Sequence, residues 1–240
     1  MKIIIAFLFC LSITLNAQTM INVDSRNTTS LNGKWNIIID PYENGYYNYR
    51  YEPNANGYFK NTEQTNPSQL IEYNFDTDEM LYVPGDWNSQ KEKLLFYEGT
   101  IWYKKSFNYN LNKGKRLFLY FGAINYDAKV YLNGEKLGEH VGGFTPFQFE
   151  ITNQVKAKDN FVVVKVDNKR YLDAVPTVNT DWYNYGGITR KVILIETNES
   201  FISDYFIQLK KGELNKIDGW VKIDGTNKTQ KIIVEYQKLV

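Results

Sequence analysis

A single carboxylate, Asp181, stands beside Trp182, Tyr183 and Tyr185 in a loop that closes on Gly186-Gly187. Aromatic rings in such a cluster cover the apolar face of a pyranose, and a carboxylate accepts protons from its hydroxyls. An apolar, β-branched run at 161–166 ends in Asp167-Asn168 just ahead of the loop, and a second apolar run at 192–195 follows it. Two buried strands holding one aromatic loop are a means of presenting a sugar-facing surface. Each residue also has a plainer use. An aspartate in a turn caps backbone N–H groups, a buried tyrosine needs a partner for its hydroxyl, and a Gly-Gly pair supplies positive φ.

The elements that must position this loop are strands. Residues 35–39 follow an Asn32-Gly33 turn, and residues 81–83 end in Pro84-Gly85. From residue 101, Trp102, Lys104 and Ser106 alternate with Tyr103, Lys105 and Phe107, the two-residue period of a half-buried strand. Residues 116–121 are almost wholly apolar and predict a strand buried on both faces. Residues 128–132 run into Asn133-Gly134, a strong hairpin signal. Further strands are expected at 147–151, 161–166 and 190–196. Residues 40–67, rich in Tyr, Asn and Gly with no helical period, predict a long surface excursion. No stretch sustains apolar residues at helical spacing. The pattern predicts an all-β antiparallel sandwich or jelly roll over residues 22–197. A second unit is expected at 198–240, with strands at 201–209, 219–223 and 231–236. Three strands are too few for an immunoglobulin-like sandwich, which needs about seven. An apolar run that stops at Val240 with no polar closing tail reads as a chain cut inside that unit.

Composition bounds the partners. The 240 residues carry a net charge of +1, so no electrostatic footprint for nucleic acid or an anionic membrane is present. The 19 Tyr, 14 Phe and 5 Trp suit sheet cores and carbohydrate sites alike. Met1-Lys2, an apolar run at 3–15 and Asn16-Ala17-Gln18 have the layout of a signal peptide cleaved after Ala17. The run is shorter than the roughly 20 apolar residues a membrane helix needs. The only cysteine, Cys10, lies in mid-run with too little hydrophobic sequence before it for a lipid anchor, so the mature chain has no disulfide framework. The expectation is a bacterial exported protein, periplasmic or extracellular.

Seven phrases, in order, resemble the N-terminal sugar-binding domain of glycoside hydrolase family 2. They are LNGKW (31–35), VPGDWN (83–88), YEGTIWY (97–103), FGAINY (121–126), VYLNG (130–134), HVGGFTPF (140–147) and DWYNYGGITR (181–190). The phrases around His140 and Asn184 lean towards the β-glucuronidase branch over the β-galactosidase branch. The resemblance implies a galactose-binding-like jelly roll, then an incomplete immunoglobulin-like sandwich. In the family a TIM barrel follows, carrying two glutamates whose carboxyl groups lie about 5 Å apart for retaining hydrolysis. These residues hold no such barrel, which takes about 250 residues, and Asn198-Glu199 reads as a polar linker. The chain by itself is therefore not expected to hydrolyse glycosides.

By the same resemblance Asp181 reaches towards the barrel's site and touches substrate hydroxyls. Trp182 stands beside it, Asn184 and Tyr185 either line the same pocket or serve a purely structural role, and Asn88, after the Pro-Gly turn, is placed at the rim. Trp35, Trp87 and Trp102 are assigned to the core, Arg190 to a carboxylate pair, and His140 to a structural turn. A lone histidine without cysteines makes a poor metal site, and no metal or cofactor is called for. The expected partners are a carbohydrate, a glucuronide or galactoside among β-glycosides, and the barrel of the same polypeptide; self-association stays open. The rival readings are a stand-alone carbohydrate-binding module without catalysis and a structural interaction domain without a sugar ligand.

Overall fold

The computed structural model describes residues 19–53, 57–59, 66, 68, 73–76, 79–213, 215–225 and 229–235. Residues 1–17, read as a signal peptide, lie outside them.

Strands of alternating polarity can bury one face only by pairing face to face, and the chain does so with two antiparallel sheets. The larger has six strands in the order β3 (Met80–Val83), β2 (Gly33–Asp40), β4 (Thr100–Phe107), β9 (Asn160–Asp167), β6 (Asp127–Leu132) and β7 (Glu135–Val141). The smaller has four, β1 (Asn27–Ser30), β10 (Val192–Asn198), β5 (Lys115–Phe121) and β8 (Phe147–Glu150). The only helical elements among the described residues are two short 3-10 turns, Val23–Ser25 and Glu92–Leu94. β6 and β7 turn at Asn133 and Gly134, both at positive φ (52° and 93°), as the Asn-Gly signal predicts.

The two-residue period decides which side chains meet. Trp35 and Ile37 of β2, Ile101 and Tyr103 of β4, and Val162, Val164 and Val166 of β9 face the smaller sheet. Leu117, Leu119 and Phe121 of β5 and Val192 and Leu194 of β10 answer them from the other side. Each large apolar side chain buried this way contributes about 1.5–3 kcal/mol.

Both outer faces are covered as well. Ile38, Trp102, Tyr131 and Val163 point out of the six-stranded sheet and are packed over by Tyr46, Tyr58 and Phe59 of the long excursion and by Tyr73 and Phe75 from the stretch between it and β3. Asp40 anchors that cover. It accepts the N–H groups of Asn44 (2.9 Å) and Gly45 (3.0 Å) and the Trp102 indole N–H (2.9 Å). This corrects the expected half-buried β4, whose residues from Thr100 to Tyr103 are buried on both faces because the excursion folds back over them. Glu43 of the excursion also bridges Lys165 (2.7 Å) and Lys169 (3.0 Å). Phe118, Tyr120, Ile193 and Ile195 on the outer face of the smaller sheet are covered by Met20, Val23 and Phe201.

β11 (Phe201–Leu209) and β12 (Ile217–Asp224) form a separate two-stranded sheet. Arg116 of β5 ties it to the sandwich by pairing with both Glu150 (2.7 Å) and Asp224 (2.9 Å). One strand is added and one expectation changes. β1 forms where the sequence carries no strand signal, because its backbone is paired to β10 although every one of its side chains is exposed. The strand expected at 231–236 is not formed over its described part, 231–235.

Candidate functional site

The loop after β9 returns to β10 along one end of the sandwich, and four asparagines hold it there. Asn168, fully buried, accepts the Gly99 N–H (2.8 Å) and donates to the Asn184 carbonyl (2.6 Å). The Asn184 side chain returns the bond to the Asn168 carbonyl and accepts from Asn125 Nδ2 (3.0 Å). Asn125 also donates to the Tyr185 carbonyl (2.6 Å), and its backbone exchanges two bonds with Gly187 (2.9 and 3.0 Å). Asn88 donates to the carbonyls of Leu94 (2.9 Å) and Tyr97 (3.1 Å) and accepts the Gly186 N–H (3.0 Å). An asparagine serves here because one side chain carries both a donor and an acceptor, and buried backbone needs both.

Arg170 supplies a fifth fastening. Its Nε lies 2.9 and 3.1 Å from the two Glu98 carboxylate oxygens. Nη1 donates to the carbonyl and hydroxyl oxygens of Thr180 (2.6 and 3.0 Å), and Nη2 to the Trp182 carbonyl (2.8 Å). All three guanidinium nitrogens are thus engaged inside the chain.

Above this bracket the loop displays side chains to solvent. Trp182, Tyr183 and Tyr185 are 59, 51 and 50% exposed, a large uncovered area for adjacent aromatics. Tyr183 stacks on Phe96 (centroids 6.0 Å apart, planes at 26°) and leans on Tyr185 at 5.6 Å. Asp181 is exposed, and among the described residues none bonds or pairs with its carboxylate.

The aromatic wall has a cleft on each side. One, of about 230 Å³, is lined by Asp181, Trp182 and Tyr183 with Phe96, Glu98 and Arg170. The other, of about 490 Å³, is lined by Trp182, Tyr183 and Tyr185 with Phe144, Val175 and Arg190. The second volume lies within the range of small-molecule sites, about 300–1,000 Å³, and the first falls below it.

The expected site residues therefore divide. Asp181, Trp182 and Tyr185 stand free at the rim, whereas Asn184 and Asn88 border the first cleft with their side-chain polar atoms already bonded within the chain. Trp87 is fully buried, as are Trp35 and Trp102, in agreement with their assignment to the core.

Three expectations are corrected. Gly186 does not take positive φ, as Gly187 does at 137°. It must be glycine because a Cβ there would stand 2.1 Å from the Trp87 ring. Arg190 has no carboxylate partner among the described residues; its Nη1 donates to the Phe144 carbonyl at 3.3 Å. His140 belongs to β7 and not to a turn. Its ring stacks on Phe147 (4.2 Å, 14°) and its Nε2 lies 3.0 Å from Thr145 Oγ1. Burial pushes the His140 imidazole pKa below its usual value, against hydrogen bonds at Gly142 and Thr145 that raise it. No three His, Cys, Asp or Glu among the described residues are grouped to hold a metal ion.

Asn125, Asn168, Arg170 and Glu98 were not singled out from sequence. Asn168 ends the apolar run, Asn125 lies within FGAINY and Glu98 within YEGTIWY, so three of the four had a local signal. Arg170 and Glu98 are 72 residues apart, and only the fold joins them.

Two antiparallel sheets packed face to face, with exposed aromatics between two clefts at one end, have the architecture of a jelly roll. The chain belongs to the glycosyl hydrolases of family 2: the model of that family's sugar binding domain matches residues 28–198. It is 41% identical over 126 residues to a β-glucuronidase of Bacteroides fragilis, covering 50% of this chain and 18% of that protein. To a β-galactosidase of Thermoanaerobacter pseudethanolicus it is 38% identical over 119 residues, covering 48% of this chain and 16% of the other. The solved structure of a β-glucuronidase from an uncultured Clostridium superposes with a TM-score of 0.66 at 25% identity, over 87% of this chain and 36% of that one. The chain thus spans only a minor part of the length of these relatives.

Proposed function

We propose that this chain is the N-terminal sugar-binding portion of an exported family 2 glycosidase acting on a β-glycoside, a glucuronide or galactoside. It supplies one wall of the sugar site, and the two catalytic glutamates come from a barrel in the same polypeptide. The observation that carries the reading is the unpartnered Asp181 carboxylate beside exposed rings, on a loop whose own bonds are already satisfied. A carboxylate with no protein partner is available to accept hydroxyl protons of a sugar stacked on Trp182. Asn184 and Asn88 act by positioning that loop, and Tyr185 extends its aromatic surface. Residues 198–240 open an immunoglobulin-like unit, a division supported by the separate β11–β12 sheet.

Titration of the chain with methyl β-D-galactoside and methyl β-D-glucuronide, followed by tryptophan fluorescence, tests the site. Millimolar affinity, about −4 kcal/mol, is expected for one sugar on half a site, and Asp181→Ala is expected to abolish the response to galactoside. A flat titration with both sugars sinks the reading. Export is supported by the layout of residues 1–17 and is consistent with the absence, among described residues, of any helix long and apolar enough to cross a membrane. N-terminal sequencing of the native protein is expected to begin at Gln18; an intact Met1 overturns the export proposal.

A further inference from the structure

The two clefts share the wall of Trp182 and Tyr183 but carry opposite chemistry. On the Asp181 side the arginine, Arg170, is consumed by Glu98, Thr180 and the Trp182 carbonyl, so the group left open is a carboxylate. On the far side no Asp or Glu lines the cleft, and its one charged residue is Arg190. That guanidinium is exposed and makes one long bond, 3.3 Å to the Phe144 carbonyl, leaving its other N–H donors unoccupied by any described residue. Its Cβ is seated against the backbone at Gly122, where any side chain would collide with it at 2.8 Å. The cation is therefore anchored at its root and open at its tip.

A planar guanidinium with free donors matches a carboxylate, which it can bind through two parallel hydrogen bonds. The rest of the lining, Phe144, Val175, Tyr185 and Trp182, offers apolar area on which a pyranose ring can lie. We propose that this Arg190 cleft is a second sugar subsite that takes a uronic acid, its carboxylate on Arg190 and its ring against Tyr185 and Trp182. The inference rests on the sugar-binding reading of the wall and adds the class of sugar that the far side selects.

The test titrates the full chain with methyl β-D-glucuronide and methyl β-D-glucoside, probes that differ in the carboxylate, and reads 15N amide shifts. The glucuronide is expected to bind about tenfold more tightly in low salt, with an advantage that shrinks as salt screens the ion pair. It should move the amides of Thr189 and Arg190, and Arg190→Gln should remove the advantage while leaving the glucoside affinity unchanged. Arg190→Lys should retain part of it. Equal affinity for the two probes, or glucuronide shifts confined to Thr180 and Asp181, overturns the Arg190 subsite and leaves the Asp181 reading standing. The shift map needs no variant, so a misfolded Arg190→Gln does not spare the proposal. Binding of neither probe brings down both.

Discussion

The clefts on either side of the Trp182–Tyr183 wall are built from the same kinds of residue and end with opposite charge. What separates them is which side chain the fold uses up. Arg170 is bonded at every nitrogen, whereas Asp181 has no partner among the described residues; Arg190 has one long bond and no carboxylate partner among them. A charged residue in a binding loop is thus informative only after its internal partners are known. The same loop shows this for amides, since Asn184 and Asn88 are bonded within the chain where a ligand contact was expected.

The largest effect should come from removing the support common to both clefts. Asn184→Ala strands the buried Asn168 carbonyl, at about 1–3 kcal/mol, and removes one of the two bonds of Asn125 Nδ2, which keeps the Tyr185 carbonyl, at about 0.5–1.5 kcal/mol. Denaturant unfolding should show a loss of several kcal/mol, and both sugar responses should disappear together. Survival of either response would mean that the two clefts are not held by one bracket. Gly186→Ala comes next, because its Cβ meets the buried Trp87 ring at 2.1 Å. An overpacking cost of about 1–3 kcal/mol is expected, read from the same unfolding curves.

Arg170→Met should act on one side only. It frees Glu98 and unties Thr180, so galactoside binding should fall several-fold while the preference for glucuronide remains. Equal loss of both would show that the arginines are not divided between the clefts. Asp181→Asn removes a carboxylate without internal partners, so stability should change by no more than about 0.5 kcal/mol while the galactoside response is lost.

The smallest effect concerns the strand ahead of Phe144. Because the folded His140 pKa lies below its ordinary value near 6.5, the fold favours the neutral ring. The stability this contributes is present above pH 6.5 and is lost as the pH falls through the folded value. Melting temperatures between pH 7 and 5 should therefore drop more for the native chain than for His140→Phe, and the parallel decline of both would refute it.

Much of the fold was legible because the strands announce themselves twice, by a two-residue period and by the turns between them. Asn133-Gly134 marks its hairpin, and residues 116–121 mark a strand apolar on both faces. β1 was not legible: its four side chains are all exposed, and what makes it a strand is backbone pairing to Glu196, Ile195, Leu194 and Ile193, far along the chain. The burial of β4 on both faces was hidden for a similar reason, since its cover comes from the excursion. At the site, the aromatic cluster and Asp181 were visible as types and spacing. Their division into spent and open groups was not.

By itself the sequence determined the all-β class, the positions of most strands along the chain and the core tryptophans, and it pointed to 181–190 as the candidate site. These follow from local periodicity, turn chemistry and a set of short phrases. Only the tertiary structure decided which polar side chains remain for a ligand. A hydrogen bond such as Arg170 to Glu98 joins residues 72 apart in the chain, and no local pattern reports whether a donor has already met its acceptor.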